Sequence, residues 1–308
     1  MDKFSINGPC RVRGTIKLSG SKNASLPILA ASILFDEPVE IKNLPKVKDI
    51  ETMLDLIKSL GFSIKKNKIK NSVIIKKKRI KTFASYSLVK TMRAGILVLG
   101  PLISKYKKAT TSLPGGCLIG ARPVNFHLNA LGKLGMTHSI KKGYIYANAH
   151  KGLKGSIIKF PKISVGATEN AILAATLAKG KTILKNCAIE PEIKIDLTNF
   201  LNKAGAKIKW IGKRSVEIDG VKKLNSISHS VMADRIECGT FCVVAAISKG
   251  ELKINGLDPN IITTEIKLLK KIGAKIKTYD KTILIKGPKK IKSLKFLETK
   301  EYDGFPTD

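Results

Sequence analysis

The sequence predicts an α/β protein made of repeated units of about 70 residues, with buried helices at the centre and sheets outside. Three features of the chain lead to this prediction. Four helix ends share one glycine signature, a small apolar segment precedes each of them, and short strand patterns lie between and after the two. The length of 308 residues also corresponds to about two domains, each large enough for its own core.

Each unit contains an amphipathic helix that ends at a glycine. The stretches are LIKSLGFSIKK, LGKLGMTHSIK, LNKAGAKIKW and LKKIGAKIKT, and their glycines are Gly61, Gly135, Gly205 and Gly273. The separations are 74, 70 and 68 residues. Glycine at this position allows left-handed backbone after the last helical turn, and the alternating residues that follow predict a strand.

The segment before each amphipathic helix is small and apolar on all sides. The four copies are NASLPILAASIL, RAGILVLGPLI, NAILAATLA and GTFCVVAAI, which predicts helices buried on every face. Strand-forming runs such as PVEIKNLP, KTILKNCA and ELKINGLD separate the two helices. One unit cannot bury such a helix alone, so several units must surround a shared helical centre, which inverts the usual layering of α/β proteins.

Composition places the chain among globular soluble proteins, with 43% hydrophobic and 26% charged residues. No apolar signal segment follows the start, and the longest apolar run, 94–103, is too short to span a bilayer. The cysteines are odd in number and scattered: Cys10, Cys117, Cys187, Cys238 and Cys242. We therefore expect a cytoplasmic protein with free thiols and no membrane insertion, in which Cys238 and Cys242 share a core-facing helix surface.

The net charge of +34 raises the alternative of a nucleic-acid-binding protein. Fifty of the 57 basic residues are lysines spread along the chain, only seven are arginines, and aromatic residues are 6%. Proteins that read bases or stack on single strands concentrate arginine and aromatic side chains on one surface. We interpret the charge as solvated surface and expect no specific nucleic-acid partner.

Three helix starts, one in each of the first three units, have the residue types of an anion site. In SGSKNASLPIL, Ser19 or Ser21 can cap the first apolar helix, and Lys22 with Asn23 then lies at its positive end. An ordinary capped helix with a surface lysine is the alternative interpretation.

The third unit repeats the arrangement, because Lys162, Ser164 and Gly166 precede its apolar helix in KISVGATENAIL. In the second unit Arg93 opens the apolar helix. Helix starts of successive units can converge around one axis, so the chain is predicted to bind more than one anionic group.

The stretch LPGGCLIGARP interrupts the strand pattern of the second unit. Glycines at 115, 116 and 120 make this loop pliable and permit close backbone approach, and cations at 107–108 and Arg122 favour a depressed thiol pKa at Cys117. The alternative is an inert cysteine buried on a strand. No P-loop or dinucleotide fingerprint occurs, and the four histidines lack metal-ligand spacing, so no metal is expected.

Several motifs together resemble the UDP-N-acetylglucosamine 1-carboxyvinyltransferase family of enolpyruvyl transferases, over the whole chain. They are MDKFSINGPCRVRGTIKLSGSKNASLPILAASIL, LPGGCLIGARPV, SVGATENAILAATLA, ADRIECGTF and FPTD. The resemblance implies transfer of an enolpyruvyl group from phosphoenolpyruvate to the 3-hydroxyl of UDP-N-acetylglucosamine, with release of phosphate. This reaction opens peptidoglycan synthesis, and no organic cofactor or metal is implied.

The resemblance also implies a two-domain inside-out α/β prism, built from βαβαββ units, with the active site in the cleft between the domains. Residues 22–231 would form a complete first domain of three units. Residues 1–21 and 232–308 would form part of a second, namely its N-terminal strand, the fourth unit and the start of a fifth. We expect such a four-unit chain to be a fragment that binds the UDP-sugar weakly, does not turn over, and leaves the apolar helix 239–247 without partners.

Residue roles follow from the same resemblance, position by position. Cys117 would be the general acid that also adds to phosphoenolpyruvate, and Asp308 the base at the sugar hydroxyl. Lys22, Asn23 and Arg122 would bind phosphoenolpyruvate. The UDP-sugar contacts would be Arg93, Arg122, Pro123, Val124, Asn125, Phe126, Lys162, Ile163, Ser164, Val165, Gly166 and Asp308. At Asn125 the family commonly has an aspartate. The shikimate-pathway enolpyruvyl transferase, with the same fold and donor, is the nearest alternative.

Overall fold

The computed structural model describes residues 3–5, 7–67, 69, 71–90, 92–115 and 124–305. The chain divides into two compact units, Lys22–Val231 and Met1–Ser21 with Met232–Asp308. The described residues form four sheets of four strands each. Within those residues, every helix is too short or too polar to cross a membrane.

The described helices combine nine α-helical segments with four short turns of other helical geometry. The α-helices are α1 (Lys22–Ala31), α2 (Lys48–Ser59), α3 (Tyr86–Val89), α4 (Leu99–Tyr106), α5 (Asn125–Lys133), α6 (Val165–Ala175), α7 (Thr198–Lys203), α8 (Arg235–Ile247) and α9 (Thr263–Lys271). The other turns are 3-10 helices at Ser32–Leu34, Arg93–Val98 and Pro259–Ile262, and a π-helix at Glu192–Leu197.

Sixteen strands make up the sheets in the described part of the chain. They are β1 (Arg13–Lys17), β2 (Val39–Lys42), β3 (Phe62–Asn67), β4 (Ser72–Lys77), β5 (Phe83–Ala84), β6 (Lys108–Ser112), β7 (Thr137–Lys141), β8 (Tyr144–Asn148), β9 (Ile157–Lys159), β10 (Lys181–Lys185), β11 (Lys207–Gly212), β12 (Ser215–Asp219), β13 (Ile227–Ser230), β14 (Glu251–Asn255), β15 (Lys275–Tyr279) and β16 (Thr282–Lys286). The strand orders are β13-β2-β4-β3, β5-β6-β8-β7, β11-β12-β10-β9 and β1-β14-β16-β15.

All four sheets repeat one topology: a parallel pair at one edge, followed by two antiparallel pairings. The third sheet is a βαβαββ unit in chain order, with α6 and α7 between its strands. In the first sheet the parallel edge strand is β13, which comes from the C-terminal end of the unit 22–231, and its Ile227 pairs with Val39. The N-terminal strand is used likewise in the fourth sheet, where Arg13 pairs with Glu251. The predicted repeat is confirmed.

The core of the unit 22–231 lies among its apolar helices. α4 and α6 pack against each other, and α1 contacts α6 and the 3-10 helix Arg93–Val98. Residues 24–31 and 167–175 are buried throughout, so the prediction of burial on every face is confirmed for α1 and α6. Their residues are small enough for this close packing, since seven of those seventeen positions are alanine and only three, Leu26, Leu29 and Leu173, are leucine.

The corresponding helix of the other unit, α8, is buried on one face only. Cys238 and Cys242 are fully buried there, as predicted. Val243 and Ile247 are 46% and 62% exposed, so the prediction of burial on every face is wrong for α8 itself. A single sheet packs on this helix among the described residues, and one sheet covers one face.

The four glycine helix ends are confirmed in detail. Gly61, Gly135, Gly205 and Gly273 have φ of +94°, +105°, +99° and +103°, each directly after the C-cap residue of a helix. After α5, the N–H of Met136 donates to the carbonyl of Leu131 at 3.0 Å. This 6→1 hydrogen bond defines a Schellman motif, which satisfies a carbonyl that the helix end leaves without a partner.

Candidate functional site

Four helix starts of the unit 22–231 lie on elements that pack against one another. These are the starts of α1, of the 3-10 helix Arg93–Val98, of α5 and of α6. None of these four described starts has an acidic residue in its first turn. Because a helix start carries partial positive charge and unsatisfied N–H groups, this arrangement favours anions.

The start of α6 is a capped turn. Ser164 is the N-cap, and its side chain accepts from the N–H of Ala167 at 3.4 Å. Val165 and Gly166 come before Ala167 in the same turn. Gly166 is therefore the second residue of the helix, whereas the sequence predicts it just before the helix. Lys162 is exposed and Ile163 is half-buried. This turn therefore presents backbone donors next to a lysine, which is what a phosphate group requires.

The start of α5 lies against that turn through His127. Val124 is the N-cap, and Asn125 and Phe126, the first two residues of the helix, are exposed and half-buried. The buried ring of His127 packs on Gly166: a Cβ at Gly166 would lie 3.1 Å from the ring Cε1 and 3.3 Å from Nε2. Such spacing is tighter than ordinary side-chain packing, so glycine permits the two helix starts to approach.

The electrostatics of this contact keep the imidazole neutral. Burial first, and then the positive charge of Arg93, lower the pKa of His127 to about 4. Arg93 begins a 3-10 helix rather than the α-helix expected from the sequence, and α4 continues it from Leu99. The structure thus brings Arg93, His127 and Gly166 together.

The buried side-chain amide of Asn170 connects these elements by hydrogen bonds. Asn170, one turn and a half into α6, accepts from the N–H of Gly100 at 2.8 Å and donates to the carbonyl of Ile96 at 3.1 Å. Its Nδ2 also lies 3.1 Å from Nδ1 of His127. One side chain therefore connects α6 to α5 and to the helix that begins at Arg93.

The start of α1 carries Lys22 and Asn23 as its first two residues. The Lys22 Nζ lies 3.3 Å from Asp49 Oδ2 in the first turn of α2, and both side chains are partly exposed. Exposed ion pairs contribute about 0–1 kcal/mol, so a multiply charged anion can compete for this ammonium. Ser19, one of two cap candidates, instead donates its hydroxyl to Glu237 at 2.7 Å.

Four of the predicted site residues lie outside the described residues: Cys117, Arg122, Pro123 and Asp308. The described chain leading to the cysteine loop ends at Gly115, where an added Cβ would overlap the carbonyl of Lys90. Close packing requires glycine at this position, and the rest of the loop that was predicted to be pliable lies outside the described residues. The described cysteines contrast with one another, because Cys10 is exposed while Cys187, Cys238 and Cys242 are buried.

Sequence reasoning missed His127 and Asn170. The spacing of the histidines fits no metal site, but His127 directly follows the predicted nucleotide segment. The signal for Asn170 is a polar residue inside an otherwise apolar helix, which requires buried hydrogen-bond partners. No described group of three or more His, Cys, Asp or Glu side chains is placed to hold a metal ion.

Comparison with known proteins places this chain among enolpyruvyl transferases. The family model described as EPSP synthase (3-phosphoshikimate 1-carboxyvinyltransferase) matches residues 6–308. A UDP-N-acetylglucosamine 1-carboxyvinyltransferase of Pelagibacter ubique is 59% identical over all of this chain and 73% of its own length. Relatives of the same name from Baumannia cicadellinicola and Proteus mirabilis are 47% and 44% identical over the same shares.

Solved structures show the same fold at low sequence identity. The enolpyruvyl transferase NikO of Streptomyces tendae has a TM-score of 0.79 at 20% identity, and covers 92% of this chain and 68% of its own. An EPSP synthase of Acinetobacter baumannii has a TM-score of 0.73 at 21% identity, over 93% and 67%.

Proposed function

We propose, from the premise that this chain belongs to the EPSP synthase family and groups there with the UDP-N-acetylglucosamine 1-carboxyvinyltransferases, that it transfers the enolpyruvyl group of phosphoenolpyruvate to UDP-N-acetylglucosamine. The resemblance and the transferase class expected from the sequence are confirmed by the family match and by the relatives. The observation that carries the choice of acceptor is the identity of 44–59% to relatives of that name over the whole chain. We place the reaction in the cytoplasm, at the opening of peptidoglycan synthesis.

The diphosphate of the sugar nucleotide is assigned to the start of α6. Its first-turn N–H groups, the nearby Lys162 and the guanidinium of Arg93 suit two adjacent phosphates. The nucleoside is assigned to the start of α5, at Val124–Phe126, together with Arg122 and Pro123. Asn125 is neutral where the family commonly has an aspartate, so it would act there through its amide.

Phosphoenolpyruvate is assigned to Lys22, Asn23 and Arg122. A small, multiply charged anion needs converging cations, and each charge-assisted hydrogen bond contributes about 1.5–3 kcal/mol. Lys22 is partly exposed at the start of α1 and held by a weak ion pair, which supports this assignment.

The domain boundaries are assigned from the repeat. Residues 22–231 form a complete domain of three units, and residues 1–21 with 232–308 form part of another.

The chemistry needs an acid and a base. The 3-hydroxyl oxygen of the sugar attacks C2 of phosphoenolpyruvate while C3 takes a proton from an acid, for which we assign Cys117. Asp308 is assigned as the base that removes the hydroxyl proton. The adduct then loses a proton from C3 and expels phosphate from C2, which leaves the enolpyruvyl ether and inorganic phosphate.

The nearest alternative is a 3-phosphoshikimate acceptor, since the matching family model carries that description. The solved structures do not discriminate, because likeness at 20–21% identity shows the fold alone. A nucleic-acid-binding protein remains the alternative from another class, with the net charge as its support.

The test is product formation by mass spectrometry, with phosphoenolpyruvate and either acceptor. The assay uses the 308-residue chain and a chimera in which the C-terminal remainder of the Pelagibacter relative continues it, because the chain spans 73% of that relative. Enolpyruvyl-UDP-N-acetylglucosamine from the chimera, without product from 3-phosphoshikimate, supports the proposal. The reverse pattern would refute it.

A further inference from the structure

The side-chain amide of Asn170 hydrogen-bonds two backbone groups that a regular α-helix would pair with each other. In a regular α-helix the N–H of Gly100 would donate to the carbonyl of Ile96, four residues earlier. The 3-10 helix Arg93–Val98 changes to α4 at this point, and Asn170 bonds both groups, at 2.8 Å and 3.1 Å, while the carbonyl of Ile96 also accepts from the N–H of Leu99. Asn170 is fully buried, so both bonds form away from water.

These two backbone partners fix the orientation of the amide. The N–H of Gly100 can only donate, so the atom that faces it must be the oxygen Oδ1. The carbonyl of Ile96 can only accept, so the atom that faces it must be the nitrogen Nδ2. Exchanging the two atoms would break both hydrogen bonds at once and leave the buried N–H of Gly100 facing another donor, which costs about 1–3 kcal/mol for that unsatisfied group.

The fixed amide in turn fixes the tautomer of His127. The atom 3.1 Å from His127 Nδ1 is Nδ2, a donor, so Nδ1 must accept with its lone pair. A neutral imidazole then carries its proton on Nε2. That edge of the ring is the one packed on Gly166, in the first turn of α6.

We propose that Asn170 is a positioning residue of the sugar-nucleotide site: it holds His127 as the neutral Nε2–H tautomer, with that N–H at the start of α6, and ties this imidazole to the helix that carries Arg93. The inference rests on the proposed function for the identity of the ligand, a nucleoside diphosphate sugar. Because the N–H donor and the cation are already aligned toward one anion before the ligand binds, less free energy is lost in ordering these side chains on binding.

The charges around His127 agree with this role. Burial of the ring first, and then the positive charge of Arg93, lower the pKa of His127 to about 4. Gly166 and Asn170 face the ring from α6, and neither is titratable. His127 is therefore a neutral donor at neutral pH, where a diphosphate diester is fully ionised.

The test uses two measurements on the intact chain: NMR of ¹⁵N-histidine for the tautomer, and calorimetric titration with UDP-N-acetylglucosamine from pH 6 to 9. The central variant is Asn170→Asp, which keeps an acceptor for Gly100 but offers no donor to His127. Its control is Thr176→Val, which removes one buried hydrogen bond, from Thr176 Oγ1 to Ile172, at the opposite end of α6.

We expect an unprotonated Nδ1 and a pH-independent affinity in the wild type. In Asn170→Asp the carboxylate draws the proton to Nδ1, so Nε2 faces the diphosphate without its hydrogen at pH 9. Affinity should then fall about tenfold, on the order of one charge-assisted hydrogen bond, and recover at low pH as the ring becomes doubly protonated. Thr176→Val should bind like the wild type.

Three results would overturn the inference: a proton on Nδ1 in the wild type, wild-type affinity of Asn170→Asp at every pH, or an equal loss in Thr176→Val. If Asn170→Asp does not fold, the wild-type spectrum and Gly166→Ala decide. The added methyl group pushes on the ring, so affinity should fall about tenfold with the tautomer kept, and unchanged affinity would count against the proposal. A wild type that binds no UDP-N-acetylglucosamine refutes the proposed function as well, whereas normal wild-type binding with an indifferent Asn170→Asp refutes only the role of Asn170.

Discussion

Gly100 packs directly on Asn170, and its N–H donates to the Asn170 side chain at 2.8 Å. A Cβ at Gly100 would overlap Oδ1 of Asn170 and lie 2.6 Å from its carbonyl oxygen. Two of the central helices, α4 and α6, therefore approach one another at a point where only glycine fits. The contact connects the packing of the core to the position of the helix that starts at Arg93.

The first prediction follows from this contact. Gly100→Ala should lower the free energy of unfolding of the unit 22–231 by about 3 kcal/mol, since overpacking and a displaced buried hydrogen bond act together. Urea unfolding measures the change. The control is Gly132→Ala in α5, where an added Cβ meets no atom within 4 Å and should stabilise by about 0.5–1 kcal/mol. Equal effects of the two substitutions would contradict the close approach.

His127 predicts a loss of stability in acid. Its pKa is lowered to about 4 in the folded protein from 6.5, so between these pH values the unfolded chain takes up a proton that the folded chain does not. Stability is therefore complete above pH 6.5 and falls as the pH drops toward 4, by about 3 kcal/mol.

His127→Gln removes this titration. The difference in unfolding free energy between wild type and variant should shrink by that amount from pH 7 to pH 4, as followed by urea unfolding at each pH. A difference that stays constant would show that His127 titrates normally in the folded state.

Glu169 predicts the opposite pH dependence. It is buried in α6, and burial first, then the charges of Glu190 and Glu192, raises its pKa well above 4.5. The folded protein keeps a proton that the unfolded chain releases, so stability is complete below pH 4.5 and is lost as the pH rises. Glu169→Gln should match the wild type near pH 4 and have a higher melting temperature at pH 8. A lower melting temperature at pH 8 would mean that an ionised Glu169 stabilises the fold.

The assignment of Cys117 predicts selective alkylation. Cys187, Cys238 and Cys242 are buried, and burial raises the pKa of Cys187 to about 12, so these thiols should react slowly with iodoacetamide. Peptide mass spectrometry should find Cys117 labelled ahead of them, and phosphoenolpyruvate with UDP-N-acetylglucosamine should protect it. Exposed Cys10 is the internal control, because substrates should not protect it. Labelling of Cys117 that is as slow as that of Cys187 would refute its role.

The repeat was predictable because each of its features depends on the residues of one short segment. Gly61 and its three counterparts mark left-handed helix ends, and the all-apolar segments require burial. The pairing of β13 with β2 could not be predicted from the sequence, since it joins residues almost 190 positions apart and no local pattern specifies such a partner.

The positions of the candidate site residues were predictable where helix starts carry them, since Lys22 begins α1 and Ser164 caps α6. They were not predictable where function depends on burial and on partners from other elements. His127 and Asn170 lie 43 residues apart, and their hydrogen bond exists only after α5 and α6 pack. The exposed face of α8 was expected from the family resemblance and not from its residues, since Val243 and Ile247 are apolar in the same way as the buried residues of α6.

The most direct test of the whole account is calorimetric titration of the 308-residue chain with two acceptors under identical conditions. UDP-N-acetylglucosamine should bind at one site, and Arg93→Ala, which removes a cation assigned to its diphosphate, should weaken that binding about tenfold or more. 3-Phosphoshikimate should produce no binding heat at the same concentrations. Binding of 3-phosphoshikimate, with none of UDP-N-acetylglucosamine, would contradict the account.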